Sequence, residues 1–172
     1  MISTPIKFED SLSIVAEICM LIQMELIKVH HILLRGAISK GGFFYDEEIM
    51  FGQGLVNAYI NEGKAKNPRI TILKELVDEY VERVGTSRIT YITDFLLKDI
   101  DGIYFINYFH ERELFKEWGK EQKKIQVHKY VHEKYVWLYK WINSSDEEIY
   151  SRLVEKDYPQ LFHGTIEDNG KI

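Results

Sequence analysis

The sequence predicts one α+β domain with a helical C-terminal extension. Three observations predict it: apolar residues recur at helical spacing in separate blocks over the first half, short Ile- and Tyr-rich runs lie between those blocks, and the aromatic-rich segment 110–142 returns to helical spacing. At 172 residues the chain is one domain's worth and long enough to bury a sizeable core.

Leu12, Val15, Ile18, Cys19, Ile22, Leu26 and Val29 mark a first helix over about 10–29, with Asp10 as its N-cap. Segment 32–39 is rich in Ile and Leu and too short for another helix, so it reads as a buried strand. Gly41-Gly42 supply a turn, and 43–45 and 49–51 flank the acidic tip Asp46-Glu47-Glu48 as a hairpin. A second helix starts near Gly52 and stops before Asn67-Pro68, because the residue before proline is pushed out of helical geometry. Residues 69–72 form a short strand. Leu73, Leu76, Val77, Tyr80, Val81 and Val84 share one face of a third helix, with Gly85 at its C′ position. Strands follow at 88–92 and 103–108, the second preceded by the turn Asp99-Ile100-Asp101-Gly102. The aromatic helical segment is divided near Gly119, and a last helix covers 146–155. With no repeat and no linker, 1–163 read as a single domain, with 110–163 its helical extension and 164–172 a flexible tail.

Hydrophobic residues make up 45% and charged residues 28%, a globular balance. A net charge of −5 argues against extended nucleic acid as a partner, which needs a basic stripe, but leaves room for a local basic site facing one nucleotide. The lone Cys19 has no internal disulfide partner and falls on an apolar helix face, as a small core residue does. No signal peptide pattern is present, and the longest apolar stretch, 14–27, is interrupted by Glu17, Gln23 and Glu25. These features point to a cytoplasmic protein with no membrane partner.

Arg35 stands on an otherwise apolar strand and needs a partner; an ion pair is the first expectation and a phosphate contact the second. The same holds for Arg69. Asn57 and Glu62 lie five positions apart and share a helix face poorly, so Glu62 reads as a structural partner for one of the arginines. His128 and His132 are at i and i+4, but no third ligand and no adjacent glutamate accompany them, so a solvated helix face is expected and no metal site. Asp99 and Asp101 read as turn residues with Gly102, and Gly41-Gly42 is too short for a phosphate loop. The tryptophans and tyrosines near the C-terminus are expected in the core or in dimer contacts.

Arg35-Gly36-Ala37-Ile38-Ser39-Lys40-Gly41 resembles the segment R-x-G-I-x-x-G of class III nucleotidyl cyclases. Gly52-Gln53-Gly54-Leu55-Val56-Asn57-Ala58 is similar to their G-D-x-V-N-x-A helix start, and Glu62, Ala65, Pro68 and Ile70 follow at the spacing of E-x-x-A-x-P-G-x-I. Leu34-Arg35-Gly36, Phe51-Gly52, Leu55, Ala58-Tyr59, Glu62 and Pro68-Arg69-Ile70 look more like a bacterial and phage subgroup that includes pyrimidine cyclases of anti-phage defence. Asp101-Gly102-Ile103-Tyr104-Phe105 and Lys134-Tyr135-Val136-Trp137-Leu138 look like that group as well.

The resemblance implies a ferredoxin-like domain that works as a homodimer and, when complete, makes a cyclic nucleotide from a nucleoside triphosphate with Mg or Mn. Two divalent ions must activate the 3′-hydroxyl and neutralise the triphosphate, so two carboxylates have to bridge them. In the family these aspartates lie on a first strand and in the following hairpin, within a wording like F-S-D-S. No such strands precede the first helix here. Ile2-Ser3-Thr4-Pro5 resembles the end of the hairpin, and Phe8-Glu9-Asp10-Ser11 abuts the helix directly. Val56 and Ile60 stand where the family carries an asparagine and an arginine, with Asn57 one position off. The expectation is therefore a domain lacking its first strands, with Arg35, Asn57 and Arg69 as candidate substrate contacts and no metal held by this chain alone. The alternative is a non-catalytic scaffold or regulatory oligomerisation module on the same fold.

Overall fold

The computed structural model describes residues 1–5, 10–84, 95–109 and 129–144. Helix α1 (Ser11–His30) organises them because it is apolar on more than one side. Its buried stripe is Leu12, Ala16, Gln23 and Ile27, while Ile14, Ile18, Leu21, Ile22 and Val29 face outward. The buried face is thus rotated from the expected one, which shares only Leu12 among its fully buried members. Apolar residues on both sides leave the periodicity without a unique face. Asp10 occupies the N-cap position and its carbonyl accepts from Ile14 N at 2.9 Å, but its side chain makes no capping bond. At the other end His31 turns left-handed (φ 55°), and Ile32 N donates to Leu26 O at 3.0 Å, a Schellman-type stop.

After α1 come β1 (Gly36–Ile38), a hairpin of β2 (Phe44–Tyr45) and β3 (Met50–Phe51), α2 (Gln53–Lys64), β4 (Ile70–Ile72) and α3 (Lys74–Val84). The described remainder is β5 (Leu96–Lys98), β6 (Tyr104–Ile106) and α4 (Lys129–Ile142). A four-stranded mixed sheet has the order β1-β4-β6-β5, with β1 and β4 parallel and the other pairs antiparallel. The chain is therefore α+β. The expected strand at 88–92, the helix at 146–155, the tail from 164 and His128 lie outside the described residues. Strand β5 was not foreseen; the three-residue apolar run Phe95-Leu96-Leu97 before a turn carries little periodicity of its own.

Alternation along the strands splits the core in two. Ile38, Ile70, Ile72, Leu96, Tyr104 and Ile106 face α3 and the first half of α1. Leu97 and Phe105 face α4, where they meet Ile27, Tyr108, Phe109 and Trp141. Phe109 stacks on Trp141 with centroids 5.8 Å apart, and Phe105 meets the same ring edge-on at 5.1 Å. Helix α1 thus contributes Leu12 and Ala16 to one cluster and Ile27 to the other.

Two glycines set how α2 begins. Gly52 has φ +143°, and a Cβ there would stand 2.2 Å from Gly42 O. A Cβ on Gly41 would stand 2.6 Å from Gly54 N. The glycines shared with the cyclase wording therefore let the β1–β2 loop touch the first turn of α2, where Gly54 N donates to Gly42 O at 3.1 Å.

Gln23 is fully buried, and neither its Oε1 nor its Nε2 has a hydrogen-bond partner among the described residues. An orphaned buried amide costs about 1–3 kcal/mol. Gln23→Leu is expected to stabilise the fold by about 1–2 kcal/mol, read as a higher urea midpoint at unchanged m. A lower midpoint would show that the amide is satisfied by a bound water.

Candidate functional site

A cavity of about 650 Å³ lies beside β1. Its floor is apolar, with Leu12 and Val15 from α1, Leu55 from α2 and Leu76 from α3. Its polar part is built from Lys40, just past β1, and Glu79 and Arg83 on α3. Lys40 Nζ pairs with Glu79, both side chains being about half exposed, so the bond adds little stability. Cys19 is half-buried on the cavity wall, and burial pushes its thiol up. It packs against the edge of the core cluster and is not among the buried core residues, unlike the core position expected of it.

The three candidate substrate contacts do not converge. Arg35, just before β1, is one-third exposed and its Nη2 lies 2.6 Å from Glu62 Oε1 on α2. This is the expected pairing of Glu62 with an arginine. Asn57 is nearest the cavity: its Nδ2 donates to Lys40 O at 3.4 Å while its Oδ1 accepts from Gln53 at 2.8 Å. Arg69 is wholly enclosed and does not line the cavity.

Arg69 instead anchors the far end of the sheet. Its Nε donates to Ala65 O at 3.1 Å, its Nη1 to Asp99 Oδ2 at 2.5 Å, and its two Nη atoms to Asp101 at 3.2 and 2.5 Å. Trp137 Nε1 donates to the same Asp99 oxygen at 2.7 Å, and the guanidinium carbon lies 5.9 Å from both the Phe105 and Trp137 ring centroids. Bidentate geometry with ring stacking is what arginine, and not lysine, supplies. Asp99 and Asp101 do make the expected turn, with Gly102 N donating to Asp99 O at 2.9 Å and Gly102 at φ +81°. Their second role was missed, although an arginine on an apolar strand requires a carboxylate and these two sit on the turn beside the neighbouring strand.

Burial pushes the Asp101 carboxyl up, but hydrogen bonds from Arg69 and Ile103 N–H and the guanidinium charge outweigh it, leaving it below the usual carboxylate range. Burial drives the Tyr108 hydroxyl well above its ordinary range, opposed by the charge of Arg69. That hydroxyl donates to Pro68 O at 2.5 Å, next to Arg69.

Among the described residues no group of three His, Cys, Asp or Glu could hold a metal ion. Asp99 and Asp101 are engaged by Arg69, so these residues do not fit a two-ion centre and no metal-dependent step follows from them. No family model, curated protein or solved structure matches the chain.

Arg69→Met is expected to destabilise the protein by about 3–5 kcal/mol, because it strands a buried carboxylate, and denaturant titration measures it. Asp101 binds its proton less readily folded than unfolded, so its contribution is complete above about pH 4 and is lost as pH falls through its lowered pKa. Asp101→Asn should accordingly lower stability at neutral pH and flatten the decline below about pH 4. An unaltered acid profile would count against the linkage.

Proposed function

We propose that this chain works by association, as a non-catalytic scaffold of ferredoxin-like, nucleotidyl cyclase-type architecture that forms a homodimer. One observation carries the reading. The hairpin and the helix after it expose Phe44, Tyr45, Met50 and Phe51, then Val56, Tyr59 and Ile60, with Tyr59 at 77%. The three α2 residues fall at i, i+3 and i+4, one face of the helix. None of the residues of α2 is fully buried. Phe44 and Phe51 pair at 5.0 Å on a hairpin of two-residue strands, a length with marginal stability in water. Exposed aromatic side chains of this kind are the anchors that protein interfaces bury. The ordered set of cyclase-like segments supports the ferredoxin-like part of this reading.

Light scattering on the purified chain at tens of micromolar is expected to give twice the monomer mass. Phe51→Asp combined with Tyr59→Asp should weaken association at least 100-fold, as loss of aromatic anchors does, with circular dichroism unchanged. A wild-type monomer would sink the proposal.

A second reading is favoured by the cavity. Its cationic Lys40 and Arg83, with Asn57 bonded to the Lys40 carbonyl, suit the triphosphate of a nucleotide. A complete domain of this kind would use Mg or Mn. Titration with ATP, CTP and UTP in the presence of Mn should then give saturable heat that Lys40→Ala together with Arg83→Ala reduces tenfold or more. No binding by the wild-type chain at millimolar nucleotide would remove this reading.

A further inference from the structure

We infer that the outer edge of β1 is a docking site for an extended strand of another polypeptide, which joins the sheet as its fifth strand. The ladder fixes which backbone groups are available. Gly36 N donates to Arg69 O at 3.3 Å, and β1 runs parallel to β4 with Gly36 opposite Ile70. Parallel pairing then turns the N–H and C=O of Gly36 and Ile38 toward β4 and those of Ala37 outward. Among the described residues no strand pairs with that outer edge.

The cavity runs along this edge. Its lining includes the consecutive residues Ala37 and Ile38, whose side chains point to opposite faces of the sheet, so the cavity wraps the strand's free side. The wall on the β1 side continues without a break from residue 37 to residue 41, and residues 1–5 form another continuous part of the lining. The Ser11 hydroxyl donates to Pro5 O at 2.7 Å and holds that segment against α1. Two stretches of consecutive residues bordering an apolar trough offer a slot for roughly five residues of extended chain, about 16 Å long.

The chemistry of the slot selects the occupant. A fatty acyl chain would fill the apolar floor but would leave the Ala37 N–H and C=O unpaired in apolar surroundings, at a cost. An extended backbone satisfies them and places alternate side chains on Leu12, Leu55 and Leu76. Lys40 and Arg83 against Glu79 leave this end of the slot net positive, so the partner strand carries apolar residues at alternate positions and an acidic residue at one end. This inference uses a different surface from the proposed dimer contact, and it assigns the cavity to a peptide strand in place of a nucleotide.

Ala37→Pro is the discriminating variant, because its N–H faces away from β4 and proline is tolerated on an edge in that orientation. The probes are three six-residue peptides with Val, Leu or Phe at alternate positions, Thr between them and a terminal Glu. Nuclear magnetic resonance titration of the full chain should shift the amides of residues 37–41 for at least one peptide. Ala37→Pro, and separately N-methylation of the peptide on its β1-facing nitrogens, should each weaken binding at least tenfold. Leu55→Glu should do the same from the side-chain wall while leaving the β4 ladder intact. Three results would overturn the inference: none of the peptides binds; laurate binds and the peptides do not; or the Ala37 amide of the free chain is already protected from exchange, which means that a segment of this chain fills the slot. Loss of a homodimer on Ala37→Pro would also overturn it, by making a second copy the occupant.

Discussion

A single buried cation, Arg69, ties the sheet to the helix that covers it. It stands at the entrance to β4, holds the end of α2 through the Ala65 carbonyl, and draws the β5–β6 turn inward through Asp99 and Asp101. Asp99 then passes the connection to α4 through the Trp137 indole. Enclosing a guanidinium is costly unless its donors are met and its charge is opposed. Here the bonds engage four of its five N–H groups, and two carboxylates face it. The strands among the described residues are at most three residues long, so ladder bonds alone give little register. Attachment of the turn to a fixed cation supplies it.

That commitment keeps Arg69 out of the cavity, as the pairing with Glu62 occupies Arg35. The cationic groups there are Lys40 and Arg83, from a loop and a helix that the cyclase-like wording does not emphasise. The glycines in that wording have a plainer purpose, since Gly41 and Gly52 stand where any side chain would strike the opposing backbone. Close packing alone is reason enough for a glycine at both positions.

Much of the architecture could be read from the residues. Asn67-Pro68 marked the end of α2, the Gly-rich and acidic turns placed the hairpin, and Asp99–Gly102 placed the turn before β6. The pairing of Glu62 with an arginine followed from the need of a charge on an apolar strand. Three things were not legible. The buried side of α1 was ambiguous because Ile14, Ile18 and Leu21 make its outer side as apolar as its inner one. Strand β5 is too short to carry a period. The partnership of Arg69 with Asp99 and Asp101 spans about thirty positions and depends on strand order, which composition and spacing do not encode.

Helix α1 has one more consequence. Leu12 and Ala16 sit in the cluster beneath α3, while Ile27 sits in the aromatic cluster beneath α4. One rigid rod therefore runs through both hydrophobic compartments. Opening either compartment strips α1 of half its support, and an isolated twenty-residue helix is barely stable in water. Support for α1 is thus divided between the two compartments, which ties the opening of one to the opening of the other.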